Sequence, residues 1–216
     1  MKTLLTTTFA ATMFLCALAL RAGDTAAPAT TPTPSYHASI LKLFGNDVIA
    51  VDKAQIATAP EIIKAKKYLF IFKGAQWCVI CRGFSSRLVT FYQKYYADKG
   101  DFDVVFVSSD HNQTAMDRYM KSRKMPWIGL KLDSEGAEAL KKKYPAETLP
   151  SLVLLDENDK VIAGTHTSKG KPKGGINIAL DTYLKLHGEP PMPKEPPILG
   201  PELLNNMPKK AKSKSK

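Results

Sequence analysis

Cys78 and Cys81 are the residues of this chain best placed to do chemistry. They stand i, i+3 in Tyr68-Leu-Phe-Ile-Phe-Lys-Gly-Ala-Gln-Trp77-Cys78-Val-Ile-Cys81-Arg82-Gly-Phe84. Thiols at that spacing exchange disulfides, form half of a metal site, or sit inert. Their surroundings favour exchange. The apolar run Tyr68 to Phe72 has the length and composition of a strand, and Lys-Gly-Ala-Gln breaks it. Beyond the cysteines, Phe84, Leu88, Phe91, Tyr92 and Tyr95 recur at spacings of three and four, the pattern of an amphipathic helix. Cys78 therefore falls at the first turn of that helix, where unpaired backbone N–H groups and the positive end of the helix dipole favour a thiolate. Cys78 is the candidate nucleophile. Cys81, one turn further on, is the candidate resolving thiol, within reach of a mixed disulfide formed at Cys78.

The residues alone leave two other readings open. A structural zinc site wants a second Cys or His pair at matching spacing, and His37, His111, His166 and His187 are scattered singly. No metal is expected. An inert structural disulfide is a poor use of the pair, because so short a loop hardly constrains the unfolded chain.

The elements that must position the thiols come next. With 216 residues the chain holds one domain with a full core plus extensions. Residues 1–22 read as a secretory signal: Lys2, an apolar stretch from Leu4 to Leu20, and small residues around Ala17-Leu-Ala19 or Leu20-Arg-Ala22 for cleavage. Thr3, Thr6, Thr7, Thr8 and Thr12 leave its apolar core short for a membrane anchor. Export to a periplasmic or extracellular compartment is expected, and loss of the leader removes Cys16. Residues 23–35, rich in Ala, Thr and Pro, form a flexible linker, residues 36–187 the folded domain, and residues 188–216 a disordered Pro- and Lys-rich tail. Part of the net charge of +11 belongs to Lys209, Lys210, Lys212, Lys214 and Lys216 in that tail. No arginine-rich stripe with interleaved aromatics marks a nucleic-acid surface.

Within the domain, Ile40–Phe44 and Val48–Val51 flank Gly45-Asn46-Asp47 and predict a short hairpin, followed by a helical or irregular lead-in over Ile56–Lys67. Phe102 to Ser108 is a near-continuous apolar strand, buried on both faces as in a parallel sheet, which makes strand, helix and strand a βαβ unit. Helices are predicted over Gln113–Lys124 and Ser134–Lys143, and a last one from Gly174-Gly175 to about Leu186. Ser151–Leu155 and Val161–Gly164 around Asp156-Glu-Asn-Asp-Lys160 predict an antiparallel hairpin.

Trp77-Cys78-x-x-Cys81 on a strand-to-helix turn, together with Leu149-Pro150 opening a later strand, resembles the thioredoxin superfamily. Trp77-Cys-Val-Ile-Cys-Arg82, Phe102-Asp-Val-Val-Phe-Val-Ser-Ser-Asp110, Met125-Pro-Trp127, Leu140-Lys-Lys-Lys-Tyr144 and Glu147-Thr-Leu-Pro150-Ser-Leu-Val-Leu-Leu-Asp156 are most similar to its tryparedoxin and nucleoredoxin branch, over roughly residues 66–165. The resemblance implies a thioredoxin-like α/β fold, a three-layer α/β/α sandwich with a central mixed sheet. It also implies attack by Cys78 on substrate disulfides, resolution by Cys81, and a cis Leu149–Pro150 bond. Trp77, Leu149 and Pro150 would form the substrate-binding rim. The partners implied are protein or peptide disulfides and dithiols and a membrane-bound or soluble redox donor, with no cofactor and a monomeric state.

The departures from the family pattern carry expectations of their own. Val79-Ile80 stands where thioredoxins have Gly-Pro and tryparedoxins Pro-Pro, which leaves an N–H at position 80 as an extra donor to the Cys78 thiolate and makes a more oxidising dithiol the expectation. Phe72 occupies the position of thioredoxin's buried aspartate, so Glu147 becomes the candidate proton acceptor for Cys81. Lys73 and Arg82 are candidates to hold the thiolate electrostatically, with an ordinary surface charge the expected role of each. The competing function is a non-catalytic thioredoxin-fold binding module that docks through its basic tail.

Overall fold

The computed structural model describes residues 35–193. The expected leader, all but the last residue of the linker, and the tail beyond 193 lie outside the described residues. Twelve elements follow in chain order: α1 (Ala38–Leu41), β1 (Val48–Ile49), α2 (Ala54–Lys64), β2 (Tyr68–Gly74), α3 (Val79–Lys99), β3 (Phe102–Ser108), α4 (Gln113–Ser122), β4 (Ile128–Leu130), α5 (Glu135–Lys143), β5 (Ser151–Leu155), β6 (Val161–Gly164) and α6 (Ile178–Leu186).

The strands form one mixed sheet in the order β1-β4-β3-β2-β5-β6. β2 lies near its middle, parallel to β3 from Tyr68↔Phe102 to Gly74↔Ser108 and antiparallel to β5 from Leu69↔Leu155 to Lys73↔Ser151. Successive side chains of a strand point to opposite faces, and both faces here are covered. Phe70, Phe72, Val104, Phe106 and Leu154 pack against Leu88 and Phe91 of α3, Tyr119 of α4 and Leu180 of α6. Leu69, Ile71, Val105, Val107 and Val153 pack against Ile40, Ile63 of α2 and Leu140 of α5. Each fully buried side chain of this kind contributes about 1.5–3 kcal/mol. That double burial explains why β2 and β3 read as unbroken apolar runs. The three layers and the mixed sheet expected from the resemblance are present.

Three local expectations are corrected. Ile40–Phe44 is not a strand: α1 forms there and the chain continues in turns to Phe44. Its apolar residues Ile40, Leu41, Leu43 and Phe44 follow helical rather than alternating spacing, and Ile40 and Phe44, four apart, share one buried face. Consequently β1 has no hairpin partner; it pairs antiparallel with β4. β4 itself has no signature in the sequence, since three residues centred on Gly129 are too few for a period to show. Finally, α6 starts at Ile178 rather than at the glycines, because Gly174 takes a left-handed φ of 72° that no helix continues.

The N-terminal segment is tied down at two points. His37 Nδ1 is 2.8 Å from Asp159 Oδ1 in the β5–β6 turn, with both side chains buried. At Gly136 an added Cβ would strike the Leu43 carbonyl, so the first turn of α5 rests directly on that backbone. Gly136→Ala is therefore expected to lose about 1–3 kcal/mol despite alanine's better helix propensity, as overpacking against backbone does. Urea denaturation measures it, and unchanged stability would show that α5 does not press on residues 43–44.

Candidate functional site

The ladder between β2 and β3 ends at Gly74↔Ser108, and Ser109 N–H closes it on the Gly74 carbonyl at 2.9 Å. The chain then turns through Ala75-Gln76-Trp77, and Cys78 N–H bonds to the Ala75 carbonyl at 3.2 Å. Cys78 is the residue that caps α3, in extended conformation with φ −80° and ψ 110°. It thus stands just before the first turn rather than in it, and its Sγ accepts a hydrogen bond from the Cys81 N–H at 3.1 Å. The donor that reaches this sulfur belongs to Cys81, not to Ile80 as the missing proline had suggested. A thiolate at a helix cap gains from that N–H and from the helix dipole.

The two sulfurs are at bonding distance, with Cα atoms 5.1 Å apart. Their access differs. Cys81 is fully buried, whereas Cys78 keeps 9% of its surface. Phe72 and Phe84 lie in the same packed cluster as Cys81, and Tyr119 Oη donates to the Cys81 carbonyl at 2.8 Å. Around Cys78 the surface is apolar, with Trp77 54%, Val79 60% and Ile80 50% exposed.

A second loop faces the pair. The Leu149–Pro150 peptide bond is cis, and the Leu149 carbonyl oxygen lies 4.0 Å from Cys78 Sγ. His166 and Thr165, just past β6, brace this loop from both sides. His166 Nε2 is 2.9 Å from Thr148 Oγ1 and its Nδ1 is 2.9 Å from Thr165 Oγ1, while Thr165 Oγ1 also accepts the Leu152 N–H at 3.0 Å. Burial holds the His166 imidazole below its ordinary pKa, with the Lys73 charge acting in the same direction.

The loop before Cys78 is fixed by groups that sequence reasoning passed over. Asp110 accepts the Gln76 N–H on Oδ1 at 2.7 Å and the Ser108 hydroxyl on Oδ2 at 2.8 Å. The Trp77 indole N–H donates to the Ser109 carbonyl at 3.1 Å, and its ring stacks on His111 at 5.9 Å between centroids. The available signal was an Asp two residues after Ser108, a local turn pattern that closes on nearby backbone. Gln76, Trp77, Arg82, Asp110 and His111 line a cleft of about 490 Å³ beside the dithiol.

The charged candidates fall elsewhere than expected. Arg82 spends a guanidinium N–H on the Gln76 carbonyl at 2.8 Å, so it holds the loop. Glu147 is exposed and pairs with Lys171 at 2.9 Å; no hydrogen bond joins it to either sulfur. Lys73 is not a surface charge. It is buried, donates to the Tyr144 carbonyl, and burial together with the nearby Lys141 charge lowers its pKa to about 8.

A family model described as thioredoxin-like matches residues 66–161. Tryparedoxin of Trypanosoma brucei brucei is 35% identical over 100 residues, which are 46% of this chain and 67% of that protein. The chain belongs to the thioredoxin-like family. Nucleoredoxin of Danio rerio is 30% identical over 96 residues, covering 44% of this chain but 22% of the relative, so the chain spans about a fifth of that protein's length. Among solved structures, tryparedoxin II from Crithidia fasciculata superposes with a TM-score of 0.52 at 27% identity, covering 70% of this chain and 95% of that one. Thioredoxin from Wuchereria bancrofti gives 0.50 at 26% identity, covering 67% and 97%. The family is one of redox oxidoreductases, and Cys78 and Cys81 stand at disulfide distance within the matched segment.

Lys73 supplies a test that leaves the cysteines untouched. Because its folded pKa is depressed, the unfolded chain binds more protons between about pH 8 and the usual lysine value. Stability should therefore rise with pH across that window, by at most about 1.4 kcal/mol per pH unit. Lys73→Met is expected to flatten this rise in urea denaturation at pH 8 to 10.5. Parallel profiles for the two proteins would show that the ammonium is not desolvated.

Proposed function

We propose that this chain is a thiol-disulfide oxidoreductase that exchanges disulfides with protein or peptide substrates, with Cys78 as nucleophile and Cys81 as resolving thiol. The observation that carries the reading is the unequal access of the two sulfurs: Cys78 opens onto an apolar surface beside the Leu149 carbonyl, and Cys81 lies directly behind it. In the reducing direction the Cys78 thiolate attacks one sulfur of a substrate disulfide, forms a mixed disulfide and expels the other sulfur as a thiolate. Cys81 then attacks Cys78 Sγ, breaking the mixed disulfide. Its proton passes to the substrate thiolate released nearby, since Phe72 leaves no carboxylate behind it. The substrate gains two electrons and two protons, one from Cys81 and one from the water that took up the Cys78 proton when its thiolate formed, and the protein is left with the Cys78–Cys81 bond. A dithiol donor reverses these steps and regenerates the thiols. No metal or organic cofactor enters.

The exposed Trp77, Val79 and Ile80 suit an apolar stretch of substrate chain next to its disulfide, and the cis-proline loop opposite offers the Leu149 carbonyl. Export to a periplasmic or extracellular compartment, read from residues 1–22, would make the electron source a membrane-bound or soluble donor outside the cytosol.

Redox titration in glutathione buffers, with free thiols trapped and counted by mass spectrometry, tests the reading. Reversible interconversion of the pair is expected, with a midpoint between those of a reductase at about −270 mV and an oxidant at about −120 mV. A pair that never opens would favour the binding module. Cys78→Ser should abolish exchange, and Cys81→Ser should accumulate mixed disulfides visible on non-reducing gels; turnover by either variant would contradict the mechanism. Val79→Ser combined with Ile80→Ser should raise KM for a protein substrate roughly ten-fold, about 1.4 kcal/mol of lost apolar contact, and leave a small disulfide substrate unaffected. Equal effects on both would remove the docking role.

A further inference from the structure

A second cavity lies at the opposite end of the sheet, where β3 begins. It measures about 200 Å³ and lies, partly open to solvent, between α2, α3 and the starts of β3 and β4. A cavity of about 150 Å³ holds benzene, so this one accommodates a body of that size with a short polar head. Ala59, Ile62, Ile63 and Ile128 make apolar walls. Tyr92 and Tyr96, stacked at 4.4 Å, and Trp127, edge-on to Tyr92 at 5.5 Å, complete them.

Into this apolar setting the fold puts Asp103, only 8% exposed. Its Oδ1 accepts the Val104 N–H at 2.7 Å and the Tyr92 hydroxyl at 3.2 Å. Its Oδ2 has no hydrogen-bond partner among the described residues. Gln55 donates from Nε2 to the Pro126 carbonyl at 3.2 Å, and its Oε1 is buried with nothing bonded to it. Trp127 Nε1 is likewise buried and unmet, whereas Asp103 Oδ2 keeps access to solvent through the cavity. Two acceptors, one a carboxylate, therefore outweigh one neutral donor. Buried polar groups are normally satisfied, and a hydrogen bond to a charged group is roughly twice as strong as a neutral one. Burial pushes the Asp103 carboxyl up to about 6, with Val104 N–H, Tyr92 and the Lys66 charge working the other way. It is still an anion at pH 7.5. Lys66 does not pair with it: its Nζ donates to the Gly100 carbonyl at 2.6 Å and sits 4.3 Å over the Tyr96 ring.

We propose that this cavity binds a small organic ammonium ion of about the size of benzylammonium, its N–H groups on Asp103 Oδ2 and Gln55 Oε1 and its apolar body against Tyr92, Tyr96 and Trp127. A metal ion is a poor fit, since one carboxylate and one amide among hydrocarbon walls do not make a coordination shell. The site is separate from the dithiol and holds whether or not the exchange reading stands.

The test is titration of the isotopically labelled full chain with benzylammonium and with its neutral counterpart benzyl alcohol, followed by amide and indole NMR shifts. Benzylammonium should shift the Trp127 indole resonance saturably at pH 7.5 and bind at least ten-fold more tightly than benzyl alcohol. Its affinity should fall ten-fold or more between pH 7.5 and 5, because the Asp103 carboxylate takes up a proton across that range while Tyr92, held well above its usual value by burial, stays neutral. Asp103→Asn should erase the preference for the cation; if that variant does not fold, Gln55→Leu on α2 should weaken cation binding at least three-fold. Equal affinity for the two probes, shifts centred on Trp77 instead of Trp127, or no saturable binding would each overturn the proposal.

Discussion

The functional end of this molecule depends on the point where β2 stops pairing and α3 begins. β2 is held on one side by parallel β3 and on the other by antiparallel β5, and all seven of its residues are buried. Its end at Gly74 therefore has a fixed position and direction. Cys78, four residues later, has no freedom to wander: it must cap the helix that follows, and as the cap it receives the Cys81 N–H. Cys81, one turn into the helix, is carried by the same geometry into the apolar layer beneath. The difference in access between the two sulfurs follows from the direction of one helix axis.

Exposed loops on a rigid scaffold need pins to hold a geometry, and both loops at the dithiol have them. Asp110 and Arg82 fix Gln76, so Trp77 and Cys78 leave the strand in one direction. Thr165 and His166 do the same for the segment around Pro150, reaching Thr148 on one side and Leu152 on the other. None of these side chains meets the sulfurs in a hydrogen bond. Their effect is to set the distance between the Leu149 carbonyl and Cys78.

The charges around this scaffold are arranged in an unusual way. The layer behind Cys81 is aromatic at Phe72, with no carboxylate, and the residue after it, Lys73, turns to the other face of the sheet and is buried there on the Tyr144 carbonyl. At the far end of the sheet the buried acid is Asp103, on the face lined by α2. Burial moves both groups toward neutrality, lowering the lysine and raising the aspartate. The molecule thus has a redox end whose buried acid, Asp110, is held on the Gln76 N–H and the Ser108 hydroxyl, and a remote end whose buried acid, Asp103, stands beside an apolar cavity.

Local pattern by itself determined the strand, turn and helix around Cys78, the βαβ unit, the β5–β6 hairpin and α5 with its acids early and lysines late. Each is a run long enough for periodicity or turn chemistry to stand out, and burial on both faces made β2 and β3 conspicuous. Tertiary structure alone decided the rest. Three residues become β4 because β3 and β1 offer unpaired edges on either side of them. Residues 38–41 form a helix whose buried face rests on the sheet, where turn residues nearby had suggested a hairpin. The fates of Lys73, Arg82 and Glu147 were likewise invisible, since whether a charge is buried, bonded to backbone or paired at the surface depends on neighbours distant in sequence. The same holds for Asp103: its type is legible in the sequence, but its burial beside an apolar cavity arises only because α2, α3 and β4 meet there.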